Sequence, residues 1–292
     1  MKRPLRLAAT LFSLSIAISI SFEASAQHAV QVTSYDSGTT PAIDFESGLP
    51  LNLKSSALGE PSRFTDDPFF PGVVSPFNAP YKRGQLLSVG ESGYVTLRLS
   101  NYALAQPGGR EIGVFAHAGL IDVAFPTGQA SDPAAAFSVD TAFVEVSADG
   151  STWFAIGDVT FDIPTNGYND VSDPFAPSRG SLPSDFQKPF VGSLSSFDGL
   201  AHSPDVLNLL DGSGGGNWLD IPAGLSQVGF IRFSVADDGN PNFNTNFELD
   251  AVSVAHAASG APTIPEPSSL LLLGIVLLGR TWRRRWPGSM LA

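Results

Sequence analysis

The chain has 292 residues, 43% hydrophobic and only 15% charged, a composition that excludes a disordered polymer and suits one large domain or two small ones. It has no cysteine, which excludes disulfides, thiol nucleophiles and Cys-ligated zinc, haem or iron–sulfur centres. Net charge is −12; without seven bases and two acids in the terminal segments, 9 Lys/Arg face 26 Asp/Glu, a body near −17 that repels phosphate backbones and argues against nucleic acid as a partner.

Met1-Lys2-Arg3 opens a basic segment, residues 7–22 form an apolar run, and Ala24-Ser25-Ala26 sets small side chains at one and three positions before Gln27. This three-part pattern predicts a secretory signal over 1–26, cut by signal peptidase before Gln27, with a retained membrane anchor as the alternative.

Residues 27–263 read as one β-rich domain. Gly 29, Pro 23 and Phe 21 favour strands and tight turns over long helices. The first strand is expected at Ile43-Asp44-Phe45-Glu46. Tyr94 to Leu99 alternates with period two, placing Val95, Leu97 and Leu99 on one face. Further strands are expected at residues 112–115 and 120–125. Runs at 143–147 and 152–156 flank Ala148-Asp149-Gly150-Ser151, and Asp-Gly between alternating runs is a strong hairpin signal. Residues 164–180 are a loop by composition, and Gly212-Ser213-Gly214-Gly215-Gly216-Asn217 reads as a flexible tip. Ser203-Pro204 is suited to start a short helix. The last strands are expected at 228–235 and 247–254. Many short, turn-punctuated strands predict an all-β, two-sheet antiparallel sandwich, with jelly-roll (galactose-binding-like) topology preferred and an immunoglobulin-like one as the alternative; isolated helices are expected at both termini.

His28, His117, His202 and His256 show no metal-like spacing and read as solvent-facing or turn histidines. No nucleophile elbow, zincin helix or phosphate loop appears, so a non-catalytic protein is expected. Asp44 and Glu46 in the first strand and Asp250 in the last would meet if those strands are neighbours. Hard oxygen ligands alone would select a structural Ca²⁺, weighed here against acids that merely form turns. Trp218, beside the glycine-rich tip, and Tyr168, in the long loop, are candidates for stacking on sugar rings, whereas Trp153 reads as packing.

The C-terminal segment, 264–286, is the most diagnostic. Pro265-Glu266-Pro267 precedes an apolar run over 268–279, and Arg280, Arg283, Arg284 and Arg285 close it. Arginines stay cytoplasmic, so the body faces outward; 12 apolar residues make a short transmembrane helix. This arrangement resembles the PEP-CTERM sorting signal of Gram-negative bacteria. The resemblance implies recognition by an exosortase that cuts near the Pro-Glu-Pro, and a host that makes exopolysaccharide or biofilm matrix. An ordinary tail anchor is the alternative.

The body, over 57–254, resembles uncharacterised exported proteins that often carry such tails, through stretches such as Ser88-Val89-Gly90-Glu91-Ser92-Gly93-Tyr94 and Phe247-Glu248-Leu249-Asp250. Its Val144-Glu145-Val146-Ser147-Ala148-Asp149-Gly150-Ser151-Thr152-Trp153 hairpin is similar to those of discoidin-like jelly rolls. These likenesses imply a protein anchored in the membrane and then held at the cell surface or in the extracellular matrix, binding or forming part of a polysaccharide matrix. A secreted carbohydrate-active hydrolase and a structural coat component are the alternatives. Paired carboxylates in a groove would favour the hydrolase.

Overall fold

The alternating run at Tyr94 becomes an 11-residue strand in which Val95, Leu97 and Leu99 are wholly buried while Tyr94 and Arg98 turn outward. The computed structural model describes residues 27–67, 71–237, 239, 245–258 and 260–263. Its strands are β1 (Ala29–Asp36), β2 (Leu87–Gly90), β3 (Tyr94–Leu104), β4 (Ile112–Ala116), β5 (Gly119–Leu120), β6 (Ala136–Phe137), β7 (Asp140–Ser147), β8 (Phe154–Phe161), β9 (Asn217–Leu219), β10 (Gln227–Ser234) and β11 (Asn246–Val254).

One sheet has the order β1-β3-β10-β7-β8 and the other β2-β11-β4-β9; β5 and β6 form a separate small hairpin. All the strand pairs are antiparallel. With β1 and the small hairpin set aside, the eight remaining strands, numbered along the chain, lie 1-8-3-6 in one sheet and 2-7-4-5 in the other. That is the jelly-roll order, so the sandwich takes the preferred topology and not the immunoglobulin-like one.

Aromatic rings join the two sheets. Phe161 of β8, Phe233 of β10 and Phe247 of β11 are fully buried, with centroids 4.7 Å apart for Phe161–Phe247 and 5.0 Å for Phe233–Phe247. A second apolar cluster, including Phe77, Leu120, Phe190, Phe197 and Leu210, lies under the long loops and gives them a core of their own.

Aspartate side chains explain where the expected strands stop short. Residues 43–46 form a turn and not the first strand: Asp44 Oδ1 accepts the backbone N–H of Glu46 (3.0 Å) and Ser47 (2.8 Å), which holds the chain out of a ladder. The first strand is instead β1. The strand expected over 120–125 ends at Leu120, because Asp122 accepts the N–H groups of Ala124, Gly128 and Gln129. The Asp149-Gly150 hairpin forms, with Gly150 at φ 76°, and Asp149 accepts from the N–H of Ser151 and Thr152, delaying β8 to Phe154. The short helical segment follows an extended Ser203 (φ −120°, ψ 128°) and ends at left-handed Asp211 (φ 46°). Among the described residues no helix is long and apolar enough to cross a membrane, and both expected terminal helices lie outside those residues.

Candidate functional site

The loop after Asp44, the turn at 77–81, the β5–β6 connection and the start of β11 converge on an open cleft of about 500 Å³. Phenylalanine is the commonest residue of its walls, with Phe45, Phe77, Phe125, Phe137 and Phe175 beside Ile43, Leu51 and Tyr81. Phe45 is 97% exposed and Phe125 71% exposed, a poor use of large apolar side chains unless something covers them. Phe125 leans edge-on against Phe175 at 5.1 Å. Phe137 lies across Gly119, where a Cβ would come within 2.2 Å of the ring, so only glycine lets β6 bring that ring in.

A polar group sits at the floor. The fold brings His117, just after β4, beside Glu248 of β11, with Nδ1 2.5 Å from Oε2. The His117 backbone N–H donates to the Glu248 carbonyl (3.0 Å), tying the two residues twice. On the far side, the Glu248 N–H donates to Asp140 Oδ2 (3.0 Å) at the start of β7, in the opposite sheet. Burial, then the Glu248 charge, push the Asp140 carboxyl up to about 8, although the Glu248 N–H pulls the other way. The arrangement is therefore an apolar, ring-lined cleft with one hydrogen-bonded His–Glu pair showing at its base and a second carboxyl behind it. Concave apolar walls with a few convergent polar groups are what ligand pockets share.

The sequence-predicted site residues lie elsewhere. Asp44, Glu46 and Asp250 do not meet. The premise that the first and last jelly-roll strands are neighbours is right, since β2 pairs β11, but Asp44 and Glu46 lie in a turn outside that pair. Asp44 is saturated by Ser47 and by the Arg83 N–H (2.9 Å), and Glu46 pairs with Lys82 at 2.6 Å. Asp250 is 1% exposed at a bulge in β11, its carboxylate accepting the Ser62 N–H (2.8 Å) and hydroxyl (2.9 Å). Among the described residues no group of three or more His, Asp or Glu is arranged to hold a metal ion. The acids belong mostly to turns.

The stacking candidates are occupied by packing. Tyr168 is 2% exposed, against Phe64 at 5.7 Å and under the Arg63 guanidinium at 5.8 Å, so it offers no face to a sugar. Trp218 of β9 lies across Gly113 and edge-on to Phe115 (6.4 Å), and its Nε1 donates to the Gly215 carbonyl (3.0 Å). The glycine-rich stretch beside it is no flexible tip: residues 213–216 are buried, and a Cβ on Gly214 would fall 2.2 Å from Phe186. Trp153 carries the Arg232 guanidinium over its ring at 4.3 Å. Two histidines expected at the surface are buried: His28 bonds Ser253 Oγ (2.9 Å) and His202 bonds the Val171 carbonyl (2.9 Å). Sequence reasoning missed the cleft because its rings come from turns far apart in the chain. The signal available was large phenylalanines, Phe45 and Phe125, in segments rich in turn formers.

Ala24, Ala26, Pro265, Glu266, Pro267, Arg280, Arg283, Arg284 and Arg285 lie outside the described residues, while the Gln27 carbonyl accepts the Val254 N–H (2.8 Å). Comparison with family models matches residues 263–285 to the PEP-CTERM protein-sorting motif. No curated protein matches the chain. The motif supports export, membrane-anchored sorting and processing by an exosortase, and the resemblance of the tail to that signal is thereby upheld.

Proposed function

We infer, from a chain that ends in a PEP-CTERM sorting motif, that the body is a non-catalytic binding module delivered to the cell surface or its matrix, and that its phenylalanine cleft engages extracellular polysaccharide. The observation that carries this reading is the pair of exposed rings, Phe45 and Phe125, at the mouth of a cleft whose floor is polar. Pyranose rings have an apolar face that lies on aromatic side chains and a hydroxyl edge that seeks hydrogen bonds, so walls and floor match the two sides of a sugar. Signal peptidase and exosortase are the processing partners in this scheme, and the C-terminal sorting segment holds the chain in the membrane until it is cut.

A glycan array probed with the full chain tests it. Binding to a defined saccharide is expected, and Phe125→Ala should weaken it about tenfold, the order of one buried aromatic contact. Measurable turnover without retained binding would reverse the reading.

That second outcome has one observation in its favour. Asp140 lies beside Glu248 and accepts its backbone N–H, and it holds its proton toward pH 8, the behaviour wanted of a general acid. Glu248, however, is engaged by His117, and Asp140 lies behind the floor and does not line the cleft. Reducing-end release from the bound saccharide, lost in Asp140→Asn, would assign the hydrolase.

A further inference from the structure

Resting on the reading of the cleft as a saccharide site, we propose that the sugar it selects is an amino sugar. A hexosamine unit would place its protonated amine on the Glu248 carboxylate and the apolar face of its ring against Phe125 and Phe45.

Three observations point to a cation. First, of the described residues lining the cleft only Tyr81, His117 and Glu248 are ionisable, and none of them is a lysine or arginine that would hold a uronate or sulfate. Lys82, next in the chain, is held by Asp67 (2.8 Å) and Glu46 (2.6 Å). Second, Glu248 is half spoken for. Its Oε2 faces His117, while its Oε1 takes no hydrogen bond from any described residue and remains able to accept one. An ammonium donating to a partly desolvated carboxylate adds the attraction of opposite charges to the hydrogen bond, which a neutral hydroxyl cannot. Third, the body outside the terminal segments carries 26 acids against nine bases. That field draws cations toward the cleft and turns acidic polymers away.

The test uses the full chain in a zwitterionic lipid nanodisc, which leaves no free detergent to fill the cleft. Titration calorimetry at pH 6 compares oligosaccharides of one length: deacetylated glucosamine, N-acetylglucosamine, glucose and a uronate. The deacetylated oligomer should bind about tenfold more tightly than the neutral ones, with the uronate weakest. Raising salt should shrink that preference in the wild-type protein, a measurement that needs no variant. Glu248→Gln should erase the preference for the amine, whatever it does to the binding of neutral sugars, and Phe125→Ala should weaken all the sugars. Equal affinity for amine and neutral oligomers overturns the proposal but leaves the saccharide reading standing. Failure of every oligomer to bind removes both. Amino-sugar binding that survives Phe125→Ala unchanged would belong to the acidic surface and not to the cleft, and overturns the proposal as well.

Discussion

At the residue scale, burial sets two groups of titrating side chains against each other. Asp140 is pushed up to about 8 by burial and then by Glu248, and Asp250 to about 7 by burial, against ordinary values of 3.8. The folded chain keeps these protons where the unfolded chain has lost them, so stability falls as pH rises from about 4 toward 8. His28 and His202 are lowered from 6.5, chiefly by burial, and act with the opposite sign. The unfolded chain takes up protons below about 6.5 that the folded one refuses, so their contribution is lost as pH falls. Above pH 7 the two histidines no longer titrate, and of the two aspartates Asp140 keeps its proton to the higher pH. Melting curves between pH 7 and 8.5 should therefore show a declining midpoint in the wild type and a flatter one in Asp140→Asn, whose amide oxygen still accepts the Glu248 N–H. An equal decline in both would place the Asp140 proton elsewhere. On the acid side, His202→Phe should flatten the loss below pH 6.5, at a cost of about 1–3 kcal/mol for leaving the buried Val171 carbonyl unpaired.

At the element scale, the strands follow alternation and the turns follow aspartate. β3, β7 and β10 form where period-two patterns predict them, because a pleated strand must send alternate side chains to opposite faces. The lengths are set by side chains that capture backbone N–H groups, as Asp44, Asp122 and Asp149 do. The glycine stretch at 212–216 inverts the usual expectation for such runs. Its glycines allow close approach: Gly215, at φ 75°, lies so near the Pro164 carbonyl that a Cβ would come within 2.1 Å. Gly215→Ala should thus destabilise by about 1–3 kcal/mol through overpacking and left-handed strain. Denaturant unfolding checks this, and an unchanged midpoint would restore the flexible-tip description.

At the scale of the whole molecule, the exit of the chain is built into the sandwich. After β11 the segment crosses to the other sheet, with Ala257 bridging Ala103 and the Ala258 N–H donating to the Tyr102 carbonyl (2.8 Å). The Pro262 ring then covers Gly229, and its carbonyl accepts from Arg98 Nη1 (3.3 Å), one residue before the sorting motif begins. The cleft lies apart from this exit, among the loops near the start of β11. Arg98→Ala should speed proteolysis between residues 258 and 263 while costing only about 1 kcal/mol of global stability, the order of a part-buried hydrogen bond. Limited digestion followed by mass spectrometry reads both the site and the rate.

What the amino-acid order determined alone was local or compositional. Export and sorting signals are short, contiguous patterns of charge and hydropathy, so the Pro-Glu-Pro, apolar and arginine sequence at the C-terminus was legible without a fold. The sandwich class was legible for the same reason, since alternation in single strands betrays one buried face. Tertiary structure alone decided the strand order, the fate of Trp218 and Tyr168, and the cleft. Those depend on contacts between residues far apart in the chain: Glu248 lies 131 positions from His117 and 108 from Asp140, and Phe45 and Phe125 line one cleft only because two distant loops converge on it. No periodicity encodes such a meeting. Burial and charge at a site arise from the neighbours that packing supplies, and packing is a property of the folded chain as a whole.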